Sequence, residues 1–359
     1  MAAHAFGLDT ITQAPNMKTA VVRKIARNAW GITNCKIQVL NGYEDQNFRL
    51  TDCVWDSGST IDQTVIMKVT NPVAALNPEH LDFQRRICEL LNAEGIPAPY
   101  YIPLKGSQKI WRLEKVAEHM APLPVRMIRV LPGNSLDQFE ANEAVVVAIG
   151  RIVARFHNIM DQIPVHERQG HVPFIAAENV ECAVTELQEL ENRRILSPER
   201  AQMVRVVFDE LRMMLDNGME MDRGLIHSDI NDTNILVQPA VDGSLEITAL
   251  IDMGDVHTSL RVMDMGATCL YLALSDKAEN GDWRRFPTWF LEGYESVRPC
   301  PDAHRIYSAM RARMACSLVC GLRANRINAR HETDSYVLKT QKKGWKMLEL
   351  LLEAEPKLI

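Results

Sequence analysis

Hydrophobic and polar positions alternate in short runs through the first third of the chain and recur at helical spacing over most of the rest. Met17 to Trp30 carries an amphipathic pattern that predicts a helix. Lys36-Ile-Gln-Val-Leu40 and Asn47-Phe-Arg-Leu50 flank an Asn41-Gly42 turn, which predicts a β hairpin. A third strand is expected over Thr64 to Thr70, stopped at Asn71-Pro72 because the residue before a proline avoids helical backbone. Pro78 to Glu94 places Leu81, Ile87, Leu90 and Leu91 at helical spacing, and Gly95-Ile-Pro-Ala-Pro99 ends that helix. A further strand over Val125 to Val130 leads into Leu131-Pro132-Gly133.

Beyond that point the period is helical over Glu143 to His157, Asn179 to Asn192 and Pro198 to Asp216. A β insertion, Gly224 to Asp252, interrupts the helices before they resume. Strands first, then helices around an inserted β hairpin, predict an α+β protein of two lobes, residues 1–130 and 131–359 with a hinge near 130. The length of 359 residues suits two such lobes, and 47% apolar with 24% charged residues is an ordinary globular composition. A formal charge of −6 argues against nucleic acid as a partner, which would need a basic face. No run reaches the ~18 apolar residues of a membrane-spanning helix. The N-terminal segment lacks a basic stretch followed by an apolar one, so a cytoplasmic protein is expected. The eight cysteines are scattered without any Cys-x-x-Cys pair, so neither a zinc site nor a disulfide framework is expected.

The chemistry concentrates in Leu225-Ile-His-Ser-Asp-Ile-Asn-Asp-Thr-Asn-Ile-Leu-Val237, where apolar runs enter and leave a polar loop. The loop reads His-x-Asp-x-x-x-x-Asn through His227, Asp229 and Asn234. Downstream, Leu250-Ile-Asp-Met-Gly-Asp255 delivers Asp252 from a hydrophobic run into a glycine turn. Phosphoryl transfer needs a carboxylate beside the attacking hydroxyl, oxygen ligands for Mg²⁺ and a cation on the phosphates. Asp229 suits the first role, and Asn234 with Asp252 supplies the hard oxygen donors that Mg²⁺ prefers.

This pattern resembles the kinase-like phosphotransferase superfamily that includes the aminoglycoside phosphotransferases and choline kinases, over nearly the whole chain. The resemblance implies a protein-kinase-like fold, with a nucleotide-binding first lobe and a catalytic, substrate-binding second lobe. It makes Asp229 the catalytic base and Asn234 and Asp252 the metal ligands. It makes Lys68, mid-strand in Val-Ile-Met-Lys-Val, the lysine that meets the nucleotide phosphates. The Gly42-to-Asn47 turn, with Gln46 and Asn47, corresponds to a phosphate-covering loop, although it lacks Gly-x-Gly-x-x-Gly. The nucleotide base is expected at Ile128-Arg129-Val130-Leu131, bringing in Arg129 and Leu131. The acid that partners Lys68 is expected near Gln84, which is no carboxylate. Asp82 is the preferred substitute, with Glu79 and Glu89 as alternatives. His227 is expected to be a structural scaffold for the loop, Gly150, Ala154 and His157 packing positions, and Asp264 an organiser of a helix start.

Three departures stand out: a long Asn234–Asp252 interval, attributed to an enlarged hairpin tip at Asp242-Gly243; Met253 in place of an aromatic; and Ser228 in place of glycine. Within the superfamily, Tyr43-Glu-Asp-Gln-Asn-Phe48, Ser228 to Leu236, Ile251 to Asp255 and Lys343-Gly-Trp-Lys346 resemble the hydroxylysine kinase family. That likeness implies GTP, with Mg²⁺, as donor and the side-chain hydroxyl of 5-hydroxylysine as acceptor. ATP, or another acceptor such as choline, ethanolamine, homoserine or an aminoglycoside, stays open, as does a nucleotide-binding pseudokinase. A substrate with two ammonium groups and a carboxylate calls for acids and a cation beside Asp229, and Asp232, Asp255 and Arg313 are the candidates. Oligomeric state is not legible.

Overall fold

A computed structural model describes residues 6–118, 120–168, 170–275, 283–328 and 334–354. The chain divides into two units. One comprises Met1–Arg86, Pro99–Leu131 and Ala324–Lys339. The other comprises Ile87–Ala98, Pro132–Arg323 and Thr340–Ile359.

The first unit opens with helix α1 (Thr19–Ile25), continued by a π-helical turn, Ala26–Trp30, that Gly31 ends at φ 78°. The helix expected over 17–30 is therefore real but changes winding half-way. Strands β1 (Ile32–Leu40), β2 (Gln46–Trp55) and β3 (Val65–Val69) follow, then helix α2 (His80–Ala93), which belongs to this unit only as far as Arg86, and strands β4 (Trp111–Glu114) and β5 (Leu123–Arg129). They form one antiparallel sheet in the order β1-β2-β3-β5-β4. Alternation decides its faces, since successive strand residues point to opposite sides. Phe48, Leu50, Val65, Met67, Val69, Val125 and Met127 are buried together with Val22, Ile25 and Trp30. The intervening row carries the polar residues Asn47, Lys68 and Arg126. Strand β4 escaped the sequence reading because Trp-Arg-Leu-Glu is short and buries none of its four residues fully.

The second unit contains strand β6 (Asn134–Ser135), helices α3 (Glu143–Met160), α4 (Val180–Asn192) and α5 (Pro198–Asp216), then β7 (Arg223–Ile226), β8 (Ile235–Pro239), β9 (Leu245–Leu250) and β10 (His257–Leu260). Helices α6 (Val262–Leu274), α7 (Arg285–Glu295) and α8 (Ile306–Ile327) follow, α8 belonging to this unit as far as Arg323; α9 (Asp334–Val337) belongs to the first unit and α10 (Gln341–Glu353) to the second. Asn142 caps α3 by accepting a 3.1 Å hydrogen bond from the Val145 amide, and Ser197 caps α5 ahead of Pro198. Helices α3 and α7 approach so closely that a Cβ on Gly150 would strike the Phe290 carbonyl, and one on Gly293 the Val147 carbonyl. Gly150 is thus the packing position expected of it.

The β insertion is not one hairpin. β8 pairs with β9 and β6, whereas β7 pairs with β10, so the polar loop from His227 to Asn234 runs between two different sheets. The long Asn234–Asp252 interval is taken up by the β8–β9 hairpin, closed at its tip by Ala240 N to Ser244 O at 2.8 Å and by Gly243 at φ 83°. All eight cysteines are buried. Among the described residues no helix is long and apolar enough to cross a membrane.

Candidate active site

The polar loop is held from beneath by one carboxylate. Asp264, fully buried in the first turn of α6, accepts the His227 amide at 2.7 Å and the Ser228 amide at 2.6 Å. Its Oδ2 also accepts from His157 Nε2 at 3.1 Å, and His157 Nδ1 in turn accepts from the Tyr294 hydroxyl at 2.8 Å. Burial pushes the Asp264 carboxyl up, but His157 and the loop amide outweigh it and hold it below the usual carboxylate range. Burial likewise keeps His157 below the usual imidazole value. Asp264 was expected to order a helix start; its larger task is to collect two consecutive loop amides. His157, expected only to pack, is the hydrogen-bonded link behind it.

The loop then turns sharply. Ser228 adopts φ 71°, a left-handed conformation that costs an L-residue roughly 1–2 kcal/mol and that glycine adopts freely. His227 is buried; its Nε2–H donates to the Ile251 carbonyl at 3.0 Å, and its Nδ1 accepts the Asp229 amide at 3.2 Å. It therefore ties the loop to the segment that delivers Asp252, with both ring nitrogens bonded to backbone. Asn231 closes the following turn, its Oδ1 accepting from the Thr233 amide at 2.8 Å, the Thr233 hydroxyl at 2.7 Å and the Asn234 amide at 3.1 Å.

Those restraints aim three side chains at one place. Asn234 is buried, and its Nδ2 donates to the Asp229 carbonyl at 2.9 Å and to Asp229 Oδ2 at 3.0 Å. Arg313, almost fully buried on α8, donates from Nη2 to Asp229 Oδ1 at 2.8 Å. Tyr271 of α6 fixes that guanidinium, accepting from Nε at 2.9 Å while its ring lies 5.2 Å beneath the guanidinium carbon. Asp252 is exposed and left-handed at φ 63°. Asp255 is half-buried; loss of solvent, then the charges of Asp229 and Asp252, pushes its carboxyl up to about 7 against the pull of Arg313 and His257. His257 donates from Nδ1 to the Asp255 carbonyl at 2.7 Å and from Nε2 to Glu178 at 3.1 Å. Burial opposes its charge, but Glu178 prevails and raises its pKa. Asp232 is half-buried and its carbonyl accepts the Asp137 amide at 3.1 Å.

Three carboxylates close enough to feel one another make a site that a divalent cation would relieve. Among the described residues no three His, Cys, Asp or Glu side chains form a ready-made metal cage. Mg²⁺ does not need one, since it takes one or two protein oxygens and completes its shell with water and phosphate. Asn234, whose amide nitrogen donates to Asp229, could offer its carbonyl oxygen to such an ion, and Asp252 could offer an anionic one.

The first unit holds the remaining candidates. Lys68 lies opposite Asn47 on β2 and Arg126 on β5. Gln46 is buried and turned toward the N-terminal segment, where it accepts the Met17 amide at 2.8 Å and donates to Asn16 at 3.0 Å. Its side chain therefore serves the fold. Asn47 Nδ2 donates to the Asn41 carbonyl at 3.4 Å. Arg129 pairs with Asp62 at 2.8 Å, and its amide donates to the Tyr100 carbonyl at 2.9 Å; Leu131 is half-buried at the end of this unit's Pro99–Leu131 segment. Asp82 is exposed and accepts from Trp111 Nε1 at 3.1 Å.

A family model described as "Phosphotransferase enzyme family" matches residues 36–306, a span containing both groups of candidates except Arg313. The chain belongs to this family. It is accordingly a phosphotransferase with a hydroxyl acceptor. It is 24% identical to the hydroxylysine kinase of Mus musculus over 96% of this chain and 92% of that protein. Among solved structures it is similar to a microcompartment-associated aminopropanol kinase, with a TM-score of 0.70 at 16% identity, covering 94% of this chain and 98% of that one. It is also similar to the amicoumacin kinase hAmiN in complex with AMP-PNP and Ca²⁺, with a TM-score of 0.65 at 15% identity over 91% and 93% of the two chains. These likenesses establish the α+β kinase-like fold, with its strand-rich first part and helical second part.

Proposed function

We propose that this phosphotransferase acts on a small amino-alcohol, and specifically that it moves the γ-phosphoryl group of GTP to the side-chain hydroxyl of 5-hydroxylysine in the cytoplasm. The observation that carries the catalytic assignment is the environment of Asp229: one carboxylate oxygen faces Arg313, the other Asn234, and the backbone beneath is anchored by His227. The acceptor assignment is supported by relatives named hydroxylysine kinase that match almost end to end.

In this reading Asp229 takes the proton of the acceptor hydroxyl as its oxygen bonds to the γ-phosphorus and the bond to the bridging oxygen breaks, releasing the nucleoside diphosphate. Asn234 and Asp252 hold Mg²⁺, which when bound neutralises charge on the phosphoryl oxygens. Lys68 meets the phosphates, the turn ending at Asn47 covers them, and the Arg129–Leu131 segment receives the base. Asp232 and Asp255 receive substrate ammonium groups, and Arg313 its carboxylate, which suits a guanidinium that Tyr271 already orients.

A donor-by-acceptor matrix tests the reading: GTP and ATP, each against hydroxylysine, choline, ethanolamine, homoserine and an aminoglycoside. Turnover confined to hydroxylysine and faster with GTP is expected, and loss of nearly all of it in Asp229→Ala. Rapid turnover of choline without hydroxylysine would reverse the acceptor assignment, and an Asp229→Ala variant with more than a few per cent of activity would remove the base.

A further inference from the structure

We infer that Asp45, carried by the turn between β1 and β2, is the positioning residue that orients the Lys68 ammonium, the post that the sequence assigned to Asp82. This rests on the reading that Lys68 engages the nucleotide phosphates.

The sheet register comes first. Asn47 opposes Lys68, Lys68 opposes Arg126, and Arg126 opposes Trp111, so these four side chains form one row on one face, with neighbouring Cβ atoms about 4.5–5.5 Å apart. Asp45 lies in the turn two residues before Asn47, and its bond to Arg126 brings its carboxylate up to that row. Its Oδ2 accepts from Arg126 Nη2 at 3.0 Å, and its Oδ1 accepts from the Asn71 amide at 2.9 Å and the Asn71 side chain at 3.0 Å. Asn71 lies three residues beyond Lys68 and is itself fixed, its Oδ1 accepting the amides of Val73 at 3.1 Å and Ala74 at 2.9 Å. The carboxylate is thus clamped between the cross-strand neighbour of Lys68 and the end of the strand that carries Lys68.

The electrostatics agree. Burial pushes the Asp45 carboxyl up, but Arg126 and then Lys68, helped by the Asn71 hydrogen bonds, hold it below the usual carboxylate range. The turn geometry is equally tight: a Cβ on Gly42 would collide with the Asp45 carbonyl. Helix α2, meanwhile, presents a neutral amide at its buried position, Gln84, which accepts from the Tyr101 hydroxyl at 3.3 Å. Asp82 is exposed and bonded to Trp111, and Glu79 and Glu89 are exposed. A lysine ammonium on a flexible stem needs a fixed anion to keep its aim, and here that anion comes from the same turn that is expected to cover the phosphates. Ordering of the turn and aiming of the lysine become one event.

The test is a double-mutant cycle on the full chain, read as nucleotide dissociation constant and as kcat and KM for MgGTP and MgATP. Asp45→Asn is expected to weaken nucleotide binding about 10–100-fold, the range for loss of a charge-assisted contact, while leaving the acceptor KM within about twofold. In a Lys68→Met background the same change should add less than about twofold, and Asp82→Asn should leave nucleotide binding unchanged. If Asp45→Asn does not fold, Asp45→Glu, which keeps the charge and displaces it by one methylene, enters the same cycle. An Asp45 effect that persists in full without Lys68, or an Asp82→Asn effect as large as that of Asp45→Asn, would overturn the inference while leaving the role of Lys68 intact. Wild-type nucleotide affinity in Lys68→Met would instead overturn the reading beneath it.

Discussion

Replacing Asp264 by Asn removes a single charge and reverses the polarity of one of its two terminal atoms. In the native chain that carboxylate accepts three hydrogen bonds, from the amides of His227 and Ser228 and from His157 Nε2. An Asn whose carbonyl faces Ser228 turns its NH₂ toward the other two donors. Each buried donor left without an acceptor costs about 1–3 kcal/mol, and the remaining bond weakens when its acceptor loses its charge. The expected total is about 3–5 kcal/mol. In the second unit, roughly 220 residues long, each kcal/mol lowers Tm by about 2–4 °C, so a fall of roughly 6–20 °C is expected by calorimetry or circular dichroism. Because the native pKa of Asp264 is depressed, its contribution is complete above the unfolded carboxylate value near ~4 and disappears as pH falls through the lower native one. The Tm deficit of the variant should therefore be constant from about pH 6 to 8 and narrow in acid. Well below its Tm, the variant should still lose at least about tenfold in kcat, since Asp229 stands one residue beyond the released amides. A Tm within about 2 °C of wild type together with kcat within twofold would refute Asp264 as the anchor of the loop.

Other expectations follow from the same geometry. Ser228→Gly should keep activity within about threefold, whereas Ser228→Val, a β-branched residue at φ 71°, should lose about 2 kcal/mol or more in denaturant unfolding. Equal stability of the two variants would contradict the left-handed turn. Tyr271→Phe removes the acceptor for Arg313 Nε and should lower kcat/KM for the acceptor about tenfold with little change in nucleotide KM; an effect on nucleotide KM alone would separate Tyr271 from acceptor recognition. The raised Asp255 carboxyl, at about 7, keeps its proton longer in the native than in the unfolded chain, so native stability without metal should fall as pH rises from ~4 to about 7. Asp255→Asn should therefore gain on wild type more at pH 8 than at pH 5 in thermal melts with chelator, and an identical difference at both pH values would argue against the carboxylate cluster. Gly150→Ala drives a methyl group into the Phe290 carbonyl and should cost about 1–3 kcal/mol, read as a fall in Tm with unchanged KM values.

Local residue pattern was enough to reveal the loop. The run from His227 to Asn234 and the Asp252 turn carry side chains whose chemistry is specific at that spacing, and the structure does bring Asp229, Asn234, Asp255 and Arg313 to one site. What periodicity could not reveal is whatever depends on long-range closure. β10 was missed because its partner β7 lies more than thirty residues upstream, and four residues carry too little alternation to register as a strand. Asp264 and His157 looked like helix residues because their hydrogen bonds run to a loop 37 and to a carboxylate 107 positions away. Tyr271 had no polar neighbour in sequence to betray it. At Gln46 the motif surroundings point to the nucleotide, and the sequence could not show that its side chain also bonds Met17 and Asn16 of the N-terminal segment, some thirty positions away.

The β8–β9 hairpin has a consequence for how distance along the chain should be read. Asn234 and Asp252 stand at its open end, next to the rung where Ile235 opposes Leu250. Further rungs added at the Asp242-Gly243 tip lengthen the ladder without moving its foot. The residue count between the two motifs is therefore a free variable, and a pattern scan with a fixed gap would pass over chains whose catalytic geometry is the same. For the same reason the tip, where Val241 is fully exposed, is the natural place to splice in a short reporter peptide while leaving turnover intact.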